Sequence, residues 1–229
     1  YVEGEVRLTD DIFRELLEPG YGPRFEADFD IAKKIKSLPG HLGPGRMTAL
    51  GEDAFRSYGS AEGGTVKVLG CTVKNVRNVF IRGNYENSFI SNTKVFRKWG
   101  LHTNHAGATK IVNCETDLLY GQFLVVYGGK EREIDLTVVP ANTDFLPVEI
   151  GHKGRSALIN GRKHKIVLRS GGELRIEDPP PIVMGGQDID LRNETSLPIE
   201  LTGNARNCRI VTNGKVTDKG EGNTITYID

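Results

Sequence analysis

The sequence predicts an all-β protein whose short strands stack into a parallel β-helix, and three observations support this prediction. Beyond residue 60, short runs of β-branched residues alternate with Gly and Asn. Two segments, Val66–Lys74 and Thr109–Asp117, share one strand–turn–strand pattern. Helix signals are few, and they lie before residue 60. A repeat of about 22 residues made of short strands and sharp turns is typical of a coil whose successive turns pair with one another.

Three copies of the repeat are marked by Cys71, Asn92 and Cys114, which are 21 and then 22 residues apart. The turn residue that precedes each of them is small or polar: Gly70, Ser91 and Asn113. Lys94 falls where the other two copies have an inward residue, so the middle copy fits least well. The two cysteines are predicted to be buried members of a side-chain stack, because two turns of the coil separate them and prevent a disulfide.

The alternation of side chains along each strand predicts which residues face the interior. The residues expected to be buried are Val66, Val68, Cys71, Ile111, Cys114 and Thr116. Those expected to be exposed are Lys67, Lys110 and Glu115.

Residues 1–60 are predicted to be an irregular, partly helical excursion, with helical signals over Asp10–Glu18 and Asp30–Lys36. This excursion is too poor in apolar residues for a core of its own and is expected to pack on the coil. Residues 61–229 form the β-helix body, so we expect one structural domain overall. Tyr1–Val6 reads like the second half of a repeat, which predicts that a missing N-terminal part or a second chain completes the coil.

Composition excludes several classes of function. Lys plus Arg is 30 and Asp plus Glu is 30, so the formal charge of zero argues against bulk binding to nucleic acid. No run approaches 18 apolar residues, so membrane insertion is not expected. Residues 1–5 lack the regions of a signal peptide. Three cysteines without a Cys-x-x-Cys pair fit neither a disulfide scaffold nor a structural zinc site. Asn193-Glu194-Thr195 is a formal glycosylation sequon.

The strand–turn pairs Val66–Cys71 and Ile111–Cys114 resemble those of the right-handed parallel β-helix superfamily, the pectin-lyase-like fold. This resemblance covers most of residues 61–229. It implies a secreted, carbohydrate-active protein whose partner is a polysaccharide or oligosaccharide. One reading is a lyase or hydrolase of an acidic polysaccharide. The other is a non-catalytic module for carbohydrate binding or adhesion, or the scaffold part of a longer enzyme, because a fold does not determine a function.

The stretch Arg97–His105 is the richest in groups that a polysaccharide lyase needs. A lyase requires a base to remove the proton next to a uronate carboxylate and a cation to neutralise that carboxylate. His102 or Lys98 would be the base, and Arg97 the neutralising cation. A solvated turn around a half-buried tryptophan is the alternative interpretation of the same residues.

Further side chains are predicted to contact the substrate: Trp99, His105, Lys110, Glu115 and Asp117. Glu115 and Asp117 should both face outward from one strand, about 7 Å apart at Cα. Two carboxylates on one face suit glycoside hydrolysis or calcium binding, and an outward carboxylate also serves plain solvation. Whether a metal such as calcium takes part is left open by the sequence.

Overall fold

The protein is described by a computed structural model for residues 5–7, 54–56, 65–82, 87–103, 108–118, 122–140, 154–174, 176 and 178–228. Within these ranges the chain forms seventeen strands and no helix. The strands are β1 (Glu5–Arg7), β2 (Ala54–Arg56), β3 (Thr65–Leu69), β4 (Thr72–Arg82), β5 (Asn87–Ser91), β6 (Lys94–Thr103), β7 (Ala108–Asp117), β8 (Gln122–Val126), β9 (Glu133–Val139), β10 (Ala157–Ile159), β11 (Lys165–Ser170), β12 (Ile182–Gln187), β13 (Asp190–Asn193), β14 (Ile199–Arg206), β15 (Arg209–Thr212), β16 (Val216–Asp218) and β17 (Thr224–Tyr227).

Every described pairing is parallel, and most strands pair with the strands two places before and two places after them. This pattern divides the strands into two long ladders. Ladder A contains β1, β3, β5, β7, β9, β11, β13, β15 and β17, together with the first residues of β4 and β6. Ladder B contains β2, β8, β10, β12, β14 and β16, together with the last residues of β4 and β6. The described part of the chain is therefore all-β with parallel strands in stacked sheets, which is compatible with a solenoid.

The ends of the two ladders reach into the first sixty residues. β1 pairs with Thr72–Lys74, the half of the repeat that follows Cys71. β2 pairs with the later part of β4. The predicted helices at Asp10–Glu18 and Asp30–Lys36 lie outside the described residues.

An aliphatic core runs along the ladders, and many strands contribute alternate side chains to it. In β9, Ile134, Leu136 and Val138 are buried while the residues between them are partly exposed. Burial of one such side chain contributes about 1.5–3 kcal/mol. The burial predicted from the sequence is confirmed for Val68, Cys71, Ile111, Cys114 and Thr116. Exposure is confirmed for Lys67 and Lys110, Glu115 is partly exposed, and the side chain of Val66 lies outside the described part.

The middle copy of the repeat differs by one residue from its predicted alignment. The left-handed turn residues are Gly70, Asn92 and Asn113, with φ of 66°, 50° and 51°. The buried residue that follows in the middle copy is Thr93, and Asn92 itself is exposed. Because a shift of one residue reverses the facing of a strand, Lys94 moves to the outside and Val95 takes the inward place. The apparent misfit of Lys94 was an error of alignment.

The repeat keeps its predicted length only at the start of the coil. Paired residues are about 22 apart in the first repeats, then 32, 25, 19 and 15 apart. The pairs that give these spacings are Thr65 with Asn87, Ile134 with Ile166, Ile166 with Leu191, Leu191 with Ile210, and Ile210 with Ile225. The strands stay in register because the extra or missing residues fall in the connections between ladders.

A second row of left-handed residues stacks at the corner where the chain enters ladder A. Its members are Glu131, Lys163, Asp188, Asn207 and Gly222. The backbone N–H of each of the first four donates to a carbonyl in the next repeat. Most of these residues are neither Gly nor Asn, so the stack of tertiary hydrogen bonds holds a conformation that the residue type alone disfavours.

Candidate functional site

β6 carries four of the predicted site residues: Arg97, Lys98, Trp99 and His102. The strand passes from ladder A to ladder B along this stretch, and the structure describes its backbone there. His105 lies outside the described residues. The predicted catalytic stretch thus lies at the corner where ladder A leads into ladder B, which we call the A–B corner.

The A–B corner varies in length from repeat to repeat. Four residues separate β7, which ends at Asp117, from β8, which begins at Gln122. The corresponding connections from β9 to β10 and from β11 to β12 are far longer, spanning residues 140–156 and 171–181. Long connections next to a rigid ladder are where binding groups commonly lie. The register places the β6 stretch beside the short connection, since Gly100 pairs with Gln122 at the start of β8. The two long connections belong to the repeats that follow β8.

Lys110 belongs to a row of alternating charges on the outer side of ladder A. Its Nζ lies 2.9 Å from Glu133 Oε2. Glu133 also pairs in register with Lys165, which pairs with Asp190, and Asp190 lies 3.0 Å from Arg209 Nε. The hydrogen bond and the charge of Lys110 hold the pKa of Glu133 below its ordinary value. The structure therefore gives Lys110 a partner on the neighbouring strand, although the sequence placed it among substrate contacts.

We expect Lys110→Ala to lower the free energy of unfolding by no more than about 1 kcal/mol, because the ion pair is exposed to solvent. The double exchange Lys110→Glu with Glu133→Lys should recover most of the loss, whereas Lys110→Glu alone puts like charges side by side. Urea unfolding at low and high salt measures both effects. A loss of several kcal/mol in Lys110→Ala would show that the lysine has a second role.

The two predicted carboxylates have different surroundings. Glu115 Oε2 lies 3.4 Å from Lys94 Nζ in the neighbouring repeat. Asp117 is only 3% exposed, so it is not open to solvent as Glu115 is, although both were predicted to face outward. Thr116 faces the core, so strand alternation points Asp117 to the opposite, outer side of β7. Because Asp117 is buried all the same, other residues must cover the outer side of β7 at this end. The sequence missed this cover because it depends on other parts of the chain.

Glu115 and Asp117 do not form part of a metal site in the described ranges. No group of three or more His, Cys, Asp or Glu side chains there is arranged to hold a metal ion. Glu115 is neutralised by Lys94, and Asp117 is buried and has its own interactions. Two carboxylates on this strand suited a calcium site, a pair for hydrolysis or plain solvation, and the described residues assemble neither of the first two.

A polar row inside the core was not anticipated from the sequence. Ser88, Thr109, Arg132 and His164 are all buried and follow one another from repeat to repeat. Ser88 Oγ donates to Thr109 Oγ1 at 3.0 Å, and Arg132 Nη1 donates to the same oxygen at 3.3 Å. The backbone N–H of Arg132 donates to His164 Nδ1 at 3.2 Å. Burial lowers the pKa of Arg132 to about 10, so its guanidinium still carries a charge at neutral pH.

The hydrogen bonds of His164 require a neutral ring. Nδ1 accepts from the Arg132 N–H, and Nε2 lies 3.1 Å from the Asn160 carbonyl oxygen, to which it donates. Burial, with a smaller contribution from the charge of Arg132, lowers the pKa of His164. Protonation of Nδ1 would remove an acceptor and place a second cation beside the first.

This arrangement predicts that the protein loses stability as the pH falls below about 6.5, the ordinary pKa of histidine. Below that pH the histidine of the unfolded chain binds a proton, whereas His164 in the folded chain stays neutral because its pKa is lowered. The contribution of His164 to the free energy of unfolding is therefore complete above about pH 6.5 and declines below it. One proton gives a slope of at most about 1.4 kcal/mol per pH unit. Unfolding by urea between pH 7.5 and 5 tests this, and His164→Gln should flatten the curve. A wild-type curve that is already flat would contradict it.

The sequon Asn193-Glu194-Thr195 has a structural role. Asn193 is fully buried, and its Nδ2 donates to the Leu197 carbonyl and to Thr212 Oγ1, each at 3.1 Å. Its Oδ1 accepts hydrogen bonds from the Thr195 N–H and hydroxyl. A glycan cannot reach this nitrogen in the folded chain.

Comparison with known proteins gives no family for this chain. No protein-family model matches it, and no curated protein matches it. Among the residues described, no helix is long and apolar enough to cross a membrane.

Proposed function

We propose that this protein is a right-handed parallel β-helix that cleaves an acidic polysaccharide at the A–B corner. The observation that carries the proposal is the register of β6, which pairs Gly100, inside the Arg97–His102 stretch, with Gln122 at the start of β8. The β-helix itself is supported by two parallel ladders, by strands that pair two places apart, and by a common aliphatic core. A protein of this kind would be exported.

Lyase chemistry fits the described residues better than hydrolysis does. Hydrolysis needs two carboxylates that flank the bond to be cleaved. Glu115 and Asp117 do not supply such a pair, because one is held by Lys94 and the other is buried. Elimination needs one base and one cation, and β6 carries candidates for both.

In the proposed elimination, Lys98 or His102 takes the proton from the carbon next to the uronate carboxylate. Arg97 binds that carboxylate and stabilises the negative charge that develops on it. The electron pair of the broken C–H bond forms a carbon–carbon double bond, and the glycosidic oxygen leaves and takes up a proton. Trp99 and His105 would contact neighbouring sugars, since an aromatic ring stacks on a sugar face.

A non-catalytic carbohydrate-binding module is the second candidate. The observation that favours it is the use of Lys110 and Glu115 in ion pairs between repeats, which is what a scaffold or an adhesive surface would show. In this case the A–B corner would bind the polymer and leave it intact.

A panel of acidic and neutral polysaccharides separates the two candidates. Cleavage by elimination produces an unsaturated uronate, which absorbs in the ultraviolet, and affinity electrophoresis on the same polymers reports binding. Absorbance that rises on an acidic polymer supports the lyase, and retardation without absorbance supports the binding module. If no acidic polymer is cleaved or retarded, the proposed function is wrong.

A further inference from the structure

Two exposed cations lie side by side at the corner where the chain passes from ladder B to ladder A, which we call the B–A corner. An isolated bridge pairs Lys130 with Arg162 in the next repeat, and a second bridge pairs Arg162 with Gln187 in the repeat after that. All three residues are exposed. They form a column of side chains along the coil, which we call the donor column. Neighbouring strands lie about 4.8 Å apart, so the donor column spans about 10 Å.

The charges of the donor column differ from those of the other rows. Elsewhere, cations of one repeat form ion pairs with carboxylates of the next: Lys94 with Glu115, Lys110 with Glu133, Arg169 with Asp135, Arg209 with Asp190, and Lys219 with Glu200. In the part of the chain that the structure describes, neither Lys130 nor Arg162 forms an ion pair. Like charges in paired positions repel each other, and an anion that contacts both would replace this repulsion with attraction.

The acids next to the donor column belong to a row that balances itself. Glu131 and Asp188 follow Lys130 and Gln187 in the chain, and they lie in the row of left-handed residues. In that row Lys163 lies between them, so its charges alternate from repeat to repeat. The donor column itself carries two cations and an amide and no acid.

Backbone hydrogen bonds on both sides hold the donor column in place. The Arg162 N–H donates to the Gly129 carbonyl, and the Arg162 carbonyl accepts from the Glu131 N–H, each at 3.0 Å. Gln187 makes the same two bonds with the repeat before it. The backbone at the column is therefore already ordered, and a ligand that binds there has little backbone entropy to remove.

An exposed aromatic ring lies next to the first cation of the column. Tyr127 is 45% exposed, and the residues between it and Lys130 are Gly128 and Gly129, with φ of 57° and 76°. An aromatic ring stacks on a sugar face, while ammonium, guanidinium and amide groups donate hydrogen bonds to carboxylate oxygens. A nucleic acid would require a broader positive surface, and the formal charge of this chain is zero. The combination favours a sugar polymer that carries carboxylates.

We propose that the donor column and Tyr127 bind an acidic polysaccharide along the coil. This inference rests on the proposed function, because it assumes the same class of polymer, and it adds a contact surface at the corner other than the one that β6 crosses. A chain long enough to reach both corners would bind more tightly than a short oligomer, because the second contact is then intramolecular.

The test compares the double variant Lys130→Gln/Arg162→Gln with Lys67→Gln/Lys215→Gln, which removes the same charge from two exposed lysines elsewhere. Calorimetry with polygalacturonate and with its methyl ester measures the affinity for a charged and a neutral polymer. We expect the column variant to bind polygalacturonate about 10-fold more weakly, to depend less on salt, and to bind the ester as the wild type does. The control should bind both polymers as the wild type does.

Four results would overturn the proposal. The first is wild-type affinity of the column variant for polygalacturonate, and the second is an equal loss in the control, which would reflect net charge alone. The third is binding of double-stranded DNA as tight as that of polygalacturonate and equally reduced in the column variant. The fourth is a lower melting temperature of the column variant, because removal of two like charges should leave the melting temperature unchanged or raise it.

The donor column can fail or stand independently of the proposed cleavage. Polygalacturonate that binds the wild type and the control, binds the column variant weakly, and is never cleaved would support the donor column while the lyase falls. Cleavage of polygalacturonate together with unchanged affinity in the column variant would support the lyase and refute the donor column. A wild type that does not bind polygalacturonate would also refute it.

Discussion

Lys98→Ala and His102→Ala are each expected to lower the rate of polymer cleavage. The variant that removes the catalytic base should lower it by about 10²–10⁴-fold. The expected size follows from the loss of a positioned proton acceptor, which no neighbouring group replaces in the same geometry. The absorbance of the unsaturated product measures the rate, and circular dichroism measures the melting temperature, which should stay close to that of the wild type.

Lys165→Ala is the matched control, because it removes an exposed lysine of the charge row on ladder A, away from the A–B corner. It should cleave as fast as the wild type. Unchanged turnover in both Lys98→Ala and His102→Ala, on a polymer that the wild type degrades, would move the active site away from β6.

Gly161→Ala is expected to lower the free energy of unfolding by about 2–6 kcal/mol, which combines backbone strain with overpacking. Gly161 has φ of +130°, a conformation that side chains rarely adopt. A Cβ at this position would lie 2.6 Å from the Gly128 carbonyl oxygen and would also press on the His164 ring. Neither group can move easily, because one is backbone and the other is locked by hydrogen bonds to Arg132 and Asn160.

Gly154→Ala separates the two causes. Gly154 also has a positive φ, of +70°, but a Cβ there would meet nothing within 4 Å. Only the backbone strain should remain, about 1–3 kcal/mol. Urea unfolding of both variants gives the comparison. Equal losses in the two variants would show that close packing around Gly161 contributes nothing.

The all-β class with parallel strands was predictable because the pattern that indicates it is local. Alternation of apolar and polar residues predicted the burial of Val68, Ile111 and Thr116 and the exposure of Lys67 and Lys110, and all of these are confirmed. The pattern was less able to set the register between repeats. A left-handed turn accepts Gly or Asn, so Asn92 was aligned with the cysteines when it belongs to the turn.

The candidate site was predictable only in part. The sequence pointed to β6 as the richest stretch, and the structure adds that this strand passes from ladder A to ladder B. It gave no sign of the buried polar row, in which Arg132 meets Thr109 and His164 only when the repeats stack.

The sequence by itself determined which side of most strands is apolar, because the alternation depends on residues close together in the chain. Only the tertiary structure decided which repeats lie side by side once their length departs from about 22 residues. The stacking of the repeats also placed Arg132 between Thr109, which lies 23 residues before it, and His164, which lies 32 residues after it. Hydrogen bonds between residues so far apart in the sequence depend on the lengths of the connections between strands. The alternation of residues within a strand carries no information about those lengths.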